Sequence, residues 1–337
     1  MREAKDLFYD KDFINKLDNN PYLLCFNNYV VDFKNKLYRQ GQPDDYISKC
    51  TNIDYIPYKT VISKEESSVN EIFKFMEELF PNEDLRTYMW EHLASTLIGN
   101  NDNQTFNIYT GSGANGKSKL VDLMSKTLGD YKATVPITLV TQKRTNIGST
   151  SSEIVQLMGT RYAVMQEPSK GEKINEGIMK EITGGDPIQG RALFKEAITF
   201  IPQFKLVVCT NTLFDIKSND EGTWRRIRVV DFESKFIDNP SENPNDKEFK
   251  KDKTLEGKFA SWAPIFASML IKKVDQTKGK VVDCDEVLVA SKKYRENQDY
   301  LAKFVADKIR KATIDPTNPD KKKKISKSSI QNEFKEW

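Results

Sequence analysis

The sequence predicts an α/β fold: a mostly parallel sheet flanked by helices, with a small α+β region ahead of it and a helical region behind. Three observations predict it. Short apolar, β-branched runs alternate with helical patterns from about 104 to 235, as in a parallel sheet with covering helices. The first of these runs, "TFNIYT" (105–110), leads into a glycine-rich turn and then a helix. With 337 residues, 38% of them hydrophobic and 30% charged, the chain is long enough for two or three compact units with polar surfaces.

Composition excludes several classes. The formal charge is +3, so nucleic-acid contact must come from a local patch rather than from a basic whole. No apolar run reaches the roughly 18 to 20 residues that span a bilayer, and "MREAKDLFYDKDF" lacks the apolar core of a secretory signal. Cys25, Cys50, Cys209 and Cys284 are scattered, which fits reduced thiols in a cytoplasmic compartment better than disulfides or zinc. The single histidine, His92, falls in a helical pattern between Met89 and Leu93 and reads as a helix-surface or core residue.

In chain order, residues 1–63 read as a small α+β region with two or three short strands, marked by an Asn-Asn pair and Gly-Gln-Pro-Asp-Asp turn signals. Residues 64–100 turn helical: "SVNEIFKFMEELF" and "EDLRTYMWEHLASTLIG" are separated by Pro81-Asn82. Asn82 or Glu83 can start the second helix, and Gly99 can end it. Residues 101–240 hold the alternating core, and 241–312 are helical, near 257–274 and near 284–312. The polar stretch 236–256, "FIDNPSENPNDKEFKKDKTLE", reads as a loop. Residues 313–337 begin as a linker and end on "SSIQNEFKEW", in mid-pattern, as the start of a truncated C-terminal domain. The run Lys321 to Lys324 reads as a solvated linker.

The motif with the most chemistry is "IYTGSGANGKSKL" (108–120). Gly111-x4-Gly116-Lys117-Ser118 fits the phosphate-cradling spacing G-x-x-x-x-G-K-[ST]. Backbone N–H groups of Gly111, Ser112, Gly113, Ala114, Asn115, Gly116, Lys117, Ser118 and Lys119 would face an anion at a helix N-terminus. Lys117 would reach the β- and γ-phosphates of ATP, and Ser118 would hold Mg²⁺. Leu120, Leu123, Met124, Thr127 and Leu128 fall at helical spacing, and Gly129 follows as a stop.

Hydrolysis also needs a group to orient water, a γ-phosphate sensor and positive charge for the transition state. "TRYAVMQEP" (160–168) is a buried strand ending in Gln166-Glu167, and Glu167 is placed to polarise water. Gln166 stands where many such sites carry a second acid, so magnesium depends more on Ser118, water and Glu167. "FKLVVCTN" (204–211) is a second strand, ending on Asn211, which alone would be an ordinary turn residue. "GTWRRIRVVDF" puts Arg225 and Arg226 just before a further strand.

With these pieces in order, the chain resembles the superfamily 3 helicases, and more closely the helicase half of poxvirus and giant-virus primase-helicases, also seen in phage and plasmid primases. "GSGANGKS" is similar to the family's first motif, "YAVMQEP" to its second, "KEITGGDPIQGRALFKE" (180–196) to its third, "LVVCTN" to its sensor and "WRRIRVVDF" to its arginine-finger segment. The resemblance implies an AAA+-type ATPase core over 101–240, and a collar over 64–100 that helps close a homo-hexameric ring. It implies catalytic roles for Lys117, Glu167, Asn211, Arg225 and Arg226, with one arginine reaching a neighbouring subunit's site and Lys180 near that interface. It also implies a DNA helicase of viral replication, with a primase domain or replication partners, single-stranded or forked DNA as track, no membrane, and work in the host cytoplasm or a viral factory.

"IQGRALFKEAITFIP" reads as a hairpin with Arg191, Phe194 and Lys195 near its tip. In the family such hairpins line a channel and grip single-stranded DNA, and a basic, aromatic tip suits phosphate pairing and base stacking. Rival readings are a small-molecule kinase, a pure DNA-binding module, and a ring ATPase that remodels protein or packages nucleic acid.

Overall fold

The computed structural model describes residues 10, 13–142, 151–166, 172–216, 220–309 and 325–336. The chain divides into two compact units, Met1–Ser291 and Lys292–Trp337. After a one-turn helix α1 (Phe13–Lys16), strands β1 (Leu23–Cys25), β2 (Val30–Asp32) and β3 (Leu37–Arg39) form an antiparallel meander. Asp32 makes one of its turns, accepting from the backbone N–H of Lys34 and Asn35 at 3.0 Å each. Such Asx geometry substitutes for a backbone turn bond.

Three helices follow: α2 (Tyr58–Lys64), α3 (Glu66–Leu79) and α4 (Glu83–Ser95). In α3 the buried set Val69, Ile72, Phe75, Met76 and Leu79 recurs every three or four residues, so one stripe faces the core. Asn82 caps α4 by accepting from the Leu85 N–H at 3.0 Å, a contact typically worth ~1 kcal/mol. The sequence predicts that α4 runs to Gly99, but it stops at Ser95. The Ser95 and Thr96 hydroxyls turn back onto the carbonyls of His92 and Leu93, at 2.7 and 2.6 Å, and such bonds compete with the helical ladder. Gly99 has a different task. The Arg161 guanidinium lies where a side chain at 99 would project.

The alternating region builds β4 (Phe106–Thr110), α5 (Lys117–Leu128), β5 (Lys132–Thr134), α6 (Thr138–Thr141), α7 (Ser152–Val155), β6 (Tyr162–Gln166), α8 (Glu176–Thr183), β7 (Ile188–Arg191), β8 (Ala197–Phe200), β9 (Lys205–Thr210), α9 (Glu221–Trp224) and β10 (Ile227–Asp231). Five of these strands form a parallel sheet in the order β10-β4-β9-β6-β5, while β7 and β8 pair as a separate antiparallel hairpin. Phe106, Ile108, Val164, Val207 and Val208 are all buried. Continuous apolar strands are what a sheet covered on both faces requires. The fold class is therefore the one the sequence predicts.

Residues 236–256 are not simply a loop. Strands β11 (Lys235–Ile237) and β12 (Glu248–Lys250) pair in parallel. The rings of Phe236 and Phe249 meet at 5.9 Å, and the Phe236 N–H donates to the Ala114 carbonyl at 2.8 Å. Two aromatic residues twelve or more apart carry this sheet, too sparse a pattern to read from alternation. Helix α10 (Leu255–Thr277) packs on α5 and α4 and buries Phe259, Trp262, Phe266, Leu270 and Val274. The helical stretch predicted near 284–312 is two helices, α11 (Asp285–Gln298) and α12 (Tyr300–Lys308). In the second unit, Phe304 of α12 meets Phe334 of α13 (Lys327–Glu336), ring centroids 5.1 Å apart. Among the described residues, no helix is long and apolar enough to cross a membrane, and all four cysteines are free.

His92 is a core residue. It is 2% exposed, stacked on Tyr88 and edge-on to Tyr109. Burial, with Lys205 nearby, holds its imidazole down at about 3. Folding thus keeps neutral a ring that the unfolded chain protonates below about pH 6.5, so its stabilising contribution is complete above that pH and drains away as the pH falls. Urea unfolding of the native chain should lose about 1 to 2 kcal/mol between pH 6.5 and 5, whereas His92→Phe should stay flat. Equal slopes for the two proteins would remove His92 as the cause.

Candidate functional site

A parallel sheet gathers the C-terminal ends of its strands on one edge. β4 ends at Thr110, and residues 111–116 turn into α5. Gly116 takes φ +80°, a left-handed conformation that glycine enters without steric cost. A β-carbon there would also collide with Leu79 and crowd Phe236. Gly116 is the N-cap of α5 and offers no side chain to its first N–H groups, which leaves a positive helix end for an anion.

Lys117 is 7% exposed. Its ammonium donates to the Gly111 carbonyl at 3.2 Å and to Asn211 Oδ1 at 3.0 Å. The loop lysine and the residue following β9 are thus brought together, because β4 and β9 are adjacent and in register from Phe106–Leu206 to Thr110–Thr210. The amide nitrogen of Asn115 is buried and has no hydrogen-bond partner among the described residues, a donor left for an incoming oxygen. Ser118 is exposed and lines the same cleft, of about 350 Å³. Lys119 pairs with Glu256 at the start of α10. Gln166 ends β6, beside Cys209 of β9. Burial pushes the Cys209 thiol up to about 12, so it stays protonated and unreactive. Glu167 lies outside the described residues.

A nucleoside triphosphate and magnesium fit this donor set. The orphaned Asn115 amide, the uncapped helix end and the buried ammonium all favour negative charge. Among the described residues no group of three or more His, Cys, Asp or Glu could hold a metal ion. Ser118, in this cleft, would hold a magnesium ion together with phosphate oxygens.

Arg225 and Arg226 sit at the other end of the sheet. Arg226 precedes Ile227, which pairs with Phe106 at the start of β4, while the phosphate loop follows the end of β4. Five residues of strand, roughly 3.3 Å each, separate the two places. Both guanidinium groups donate to Gln104 Oε1, at 2.8 and 3.1 Å. Arg226 is buried to 9% exposure, and burial, with the charge of Arg225 beside it, lowers its pKa. Lys180 of α8 pairs with Asp220, which caps α9 just ahead of the arginines. That pairing, with a backbone bond from Gly222, draws the Asp220 carboxyl down to about 2.

The third predicted group lies on the β7–β8 hairpin. Phe194 is 93% exposed, and Leu193 beside it is 61% exposed. Arg191 donates through Nε to the Lys195 carbonyl at 3.0 Å, which closes the tip. The tip end of β7 is held by Ser151, whose N–H donates to the Arg191 carbonyl at 2.8 Å and whose hydroxyl accepts from the Arg191 N–H at 3.0 Å. Sequence reasoning missed Gln104 and the wall of the phosphate cleft formed by Phe75, Phe236, Lys251 and Leu255. None carries a local signal, since each is placed by contacts remote in sequence.

Residues 1–97 match a family described as D5 N terminal like, and residues 109–226 match a family of unknown function. The chain is 37% identical over 345 residues to a protein named "Putative helicase" from Acanthamoeba polyphaga mimivirus, covering 100% of this chain and 35% of that protein. It is 30% identical to a protein of the same description from Invertebrate iridescent virus 3, covering 100% of this chain and 37% of the relative. A "Putative primase" of African swine fever virus is 26% identical, with 100% of this chain and 35% of the relative covered. The chain thus spans about a third of the length of these relatives. Among solved structures, the apo NrS-1 C-terminal region shares the fold, with a TM-score of 0.50 at 16% identity over 70% of this chain and 54% of that one. By sequence, the chain matches one segment of the D5-like family of viral primase-helicases.

Proposed function

We propose that the chain is the ATP-hydrolysing motor segment of a viral primase-helicase, a superfamily 3-type hexameric ring that moves on single-stranded DNA. The observation that carries this reading is the Lys117 ammonium held between the phosphate loop and Asn211. It is a buried positive charge at a helix N-terminus, poised for an anion. On this reading the loop N–H groups and the end of α5 bind phosphate oxygens, and Lys117 bridges the β- and γ-phosphates. Asn211 senses the γ-phosphate, and Glu167 orients the attacking water. Magnesium, held by Ser118 and through water by Glu167, would supply neutralisation of phosphate charge.

Arg225 and Arg226, too far from their own chain's loop, would serve the next subunit's site, with Lys180 on the same face and residues 64–100 as the collar. The hairpin would line the channel. The alternative of a ring ATPase that remodels protein would keep the same site but not a basic channel hairpin, and one that packages nucleic acid would keep both and is separated by the unwinding assay. A host-cytoplasmic or viral-factory setting and a linked primase domain belong to the same proposal.

Lys117→Ala should lower ATP hydrolysis by about 10²–10³ or more, the usual loss for a transition-state donor. Glu167→Gln should bind ATP but not turn it over. Native turnover by Glu167→Gln would remove Glu167 from the chemistry.

If an arginine acts in trans, ATPase per chain should rise with protein concentration as rings form. Mixing inactive Lys117→Ala with inactive Arg226→Ala, or with Arg225→Ala, should restore some activity, since arginine fingers contribute about 10³–10⁵ in rate. Flat activity from nanomolar to micromolar protein, with no rescue, would count against the ring.

At the hairpin, Lys195→Ala should make the salt dependence of single-stranded DNA binding shallower, by about 0.7 in slope per lost contact. Phe194→Ala should weaken binding by roughly 1–3 kcal/mol per stacked base with little change of slope. Both variants should keep basal ATPase and lose unwinding. Fluorescence anisotropy across a salt series, beside an unwinding assay, reads both effects, and normal unwinding by the double variant would exclude the hairpin.

A further inference from the structure

Cys25 and Cys50 are separated in the chain but side by side in the fold. Cys25 ends β1, and residues 49–53 run along it. The Thr51 N–H donates to the Cys25 carbonyl at 2.9 Å, and the Asn27 N–H to the Ile53 carbonyl at 3.0 Å. The Cys50 thiol donates to Asn27 Oδ1 at 3.5 Å and lies within hydrogen-bond reach of the Cys25 thiol. Both cysteines are half-buried, so a small molecule has access to the pair. Cys209 of β9 and Cys284, just before α11, lie elsewhere in the fold.

The two thiols are not equivalent. Burial, with Cys50 beside it, pushes the Cys25 thiol up to about 11, so it stays protonated and is a poor first nucleophile. At Cys50 the Asn52 N–H donates to the sulfur at 3.4 Å, a backbone donor placed where charge develops during attack. The segment carrying Cys50 is also braced. The Asp130 carboxylate accepts from the Cys50 N–H at 3.1 Å and from the Asn52 amide at 3.0 Å. The Asp130 N–H donates to the Cys50 carbonyl at 2.9 Å. Tyr131 bridges both sides, its hydroxyl accepting from the Cys25 N–H and donating to the Lys49 carbonyl, each at 3.1 Å. With both backbones held in this way, joining the sulfurs asks for side-chain rotation rather than refolding.

We propose that Cys25 and Cys50 are a dithiol modification site, which a low-molecular-weight disulfide converts to an intramolecular Cys25–Cys50 disulfide. The Cys50 thiolate attacks one sulfur of the reagent, whose S–S bond breaks and releases one thiolate. The Cys25 thiol then loses its proton and attacks the Cys50 sulfur of this mixed disulfide, releasing the second thiolate. The two released thiolates take up the two protons. Two protein thiols are thus oxidised, and one reagent disulfide is reduced to two thiols. The second step is intramolecular between held groups, so the mixed disulfide does not accumulate. A β-carbon at Gly129 would collide with the Thr51 and Cys50 carbonyls, so this segment lies against the end of α5. The new bond therefore ties β1 to the far end of the helix that begins at the phosphate loop.

The test is to incubate the 337-residue chain with excess glutathione disulfide, without denaturant, and to follow its intact mass. The native chain should lose the mass of two hydrogen atoms, and a non-reducing peptide map should link Cys25 to Cys50. Dithiothreitol should restore the starting mass. Cys25→Ser should instead stop with one glutathione held on Cys50, and Cys50→Ser should leave Cys25 unmodified. The peptide map of the native chain needs no variant, so it decides even if a serine variant fails to fold. A stable glutathione adduct on the native chain, a link between other cysteines, or no reaction would overturn the proposal.

Discussion

The hydrogen bonds of the Lys117 ammonium, to the carbonyl of Gly111 and the amide of Asn211, set the condition that the surrounding structure satisfies. A charge this buried is tolerated only when paired or hydrogen-bonded. To supply those partners, the loop must fold back over its own helix, and the strand carrying Asn211 must lie directly beside β4. The first requirement places Gly116 at φ +80° against Leu79. The second is met by inserting β9 between β4 and β6, although β6 comes earlier in the chain. Sheet order, glycine position and the packing of α3 against the loop are therefore linked to one cation.

The same parallel arrangement separates positive charge onto two edges. Lys117 lies at the C-terminal edge, and Arg225, Arg226 and Lys180 lie at the N-terminal edge or on the helix beside it. The lower groups are held rather than free: one carboxamide oxygen, from Gln104, binds both guanidinium groups, and Asp220 holds Lys180. Gln104 itself takes φ +48°, unusual for a residue with a side chain. Two like charges gathered at one acceptor repel each other, and burial makes that cost greater for Arg226. Such an arrangement stabilises little by itself.

Much of the sheet and its loop was legible in the sequence because the signals are local. The strand before Gly111, the helix after Gly116 and the apolar runs ending at Gln166 and Asn211 each declare themselves within a dozen residues. The hairpin was legible for the same reason, with Gly184-Gly185 and Asp186-Pro187 ahead of an alternating run. What escaped was set by contacts between distant segments. The β11–β12 pair depends on Phe236 meeting Phe249 and the loop carbonyl of Ala114, within a stretch whose composition is that of a loop. The early end of α4 depends on two hydroxyls, and the need for glycine at 99 depends on Arg161, more than sixty residues away. Arg161 in turn binds Gln203 and the carbonyls of Asn20 and Leu23, so it ties the N-terminal meander to the sheet through one side chain that carries no motif.

The tip of the hairpin stands apart energetically from everything beneath it. Phe194 combines near-complete exposure with φ +57°, so an aromatic ring meets water while its backbone sits in a region costly for any residue but glycine. Each feature alone is unremarkable on a protein surface. Together they run against folding stability twice at one position, and glycine or asparagine there would relieve both. Structures that keep such a residue usually do so because the exposed group has a partner in the working state. The bond from Arg191 to the Lys195 carbonyl holds the turn in this shape, and the Ser151 contacts hold Arg191, the last residue of β7 before the turn. The ring is thus presented on a braced support rather than on a loose loop. A braced, exposed aromatic next to a lysine is suited to a ligand with both flat faces and negative charge, which is the chemistry of a single strand of nucleic acid.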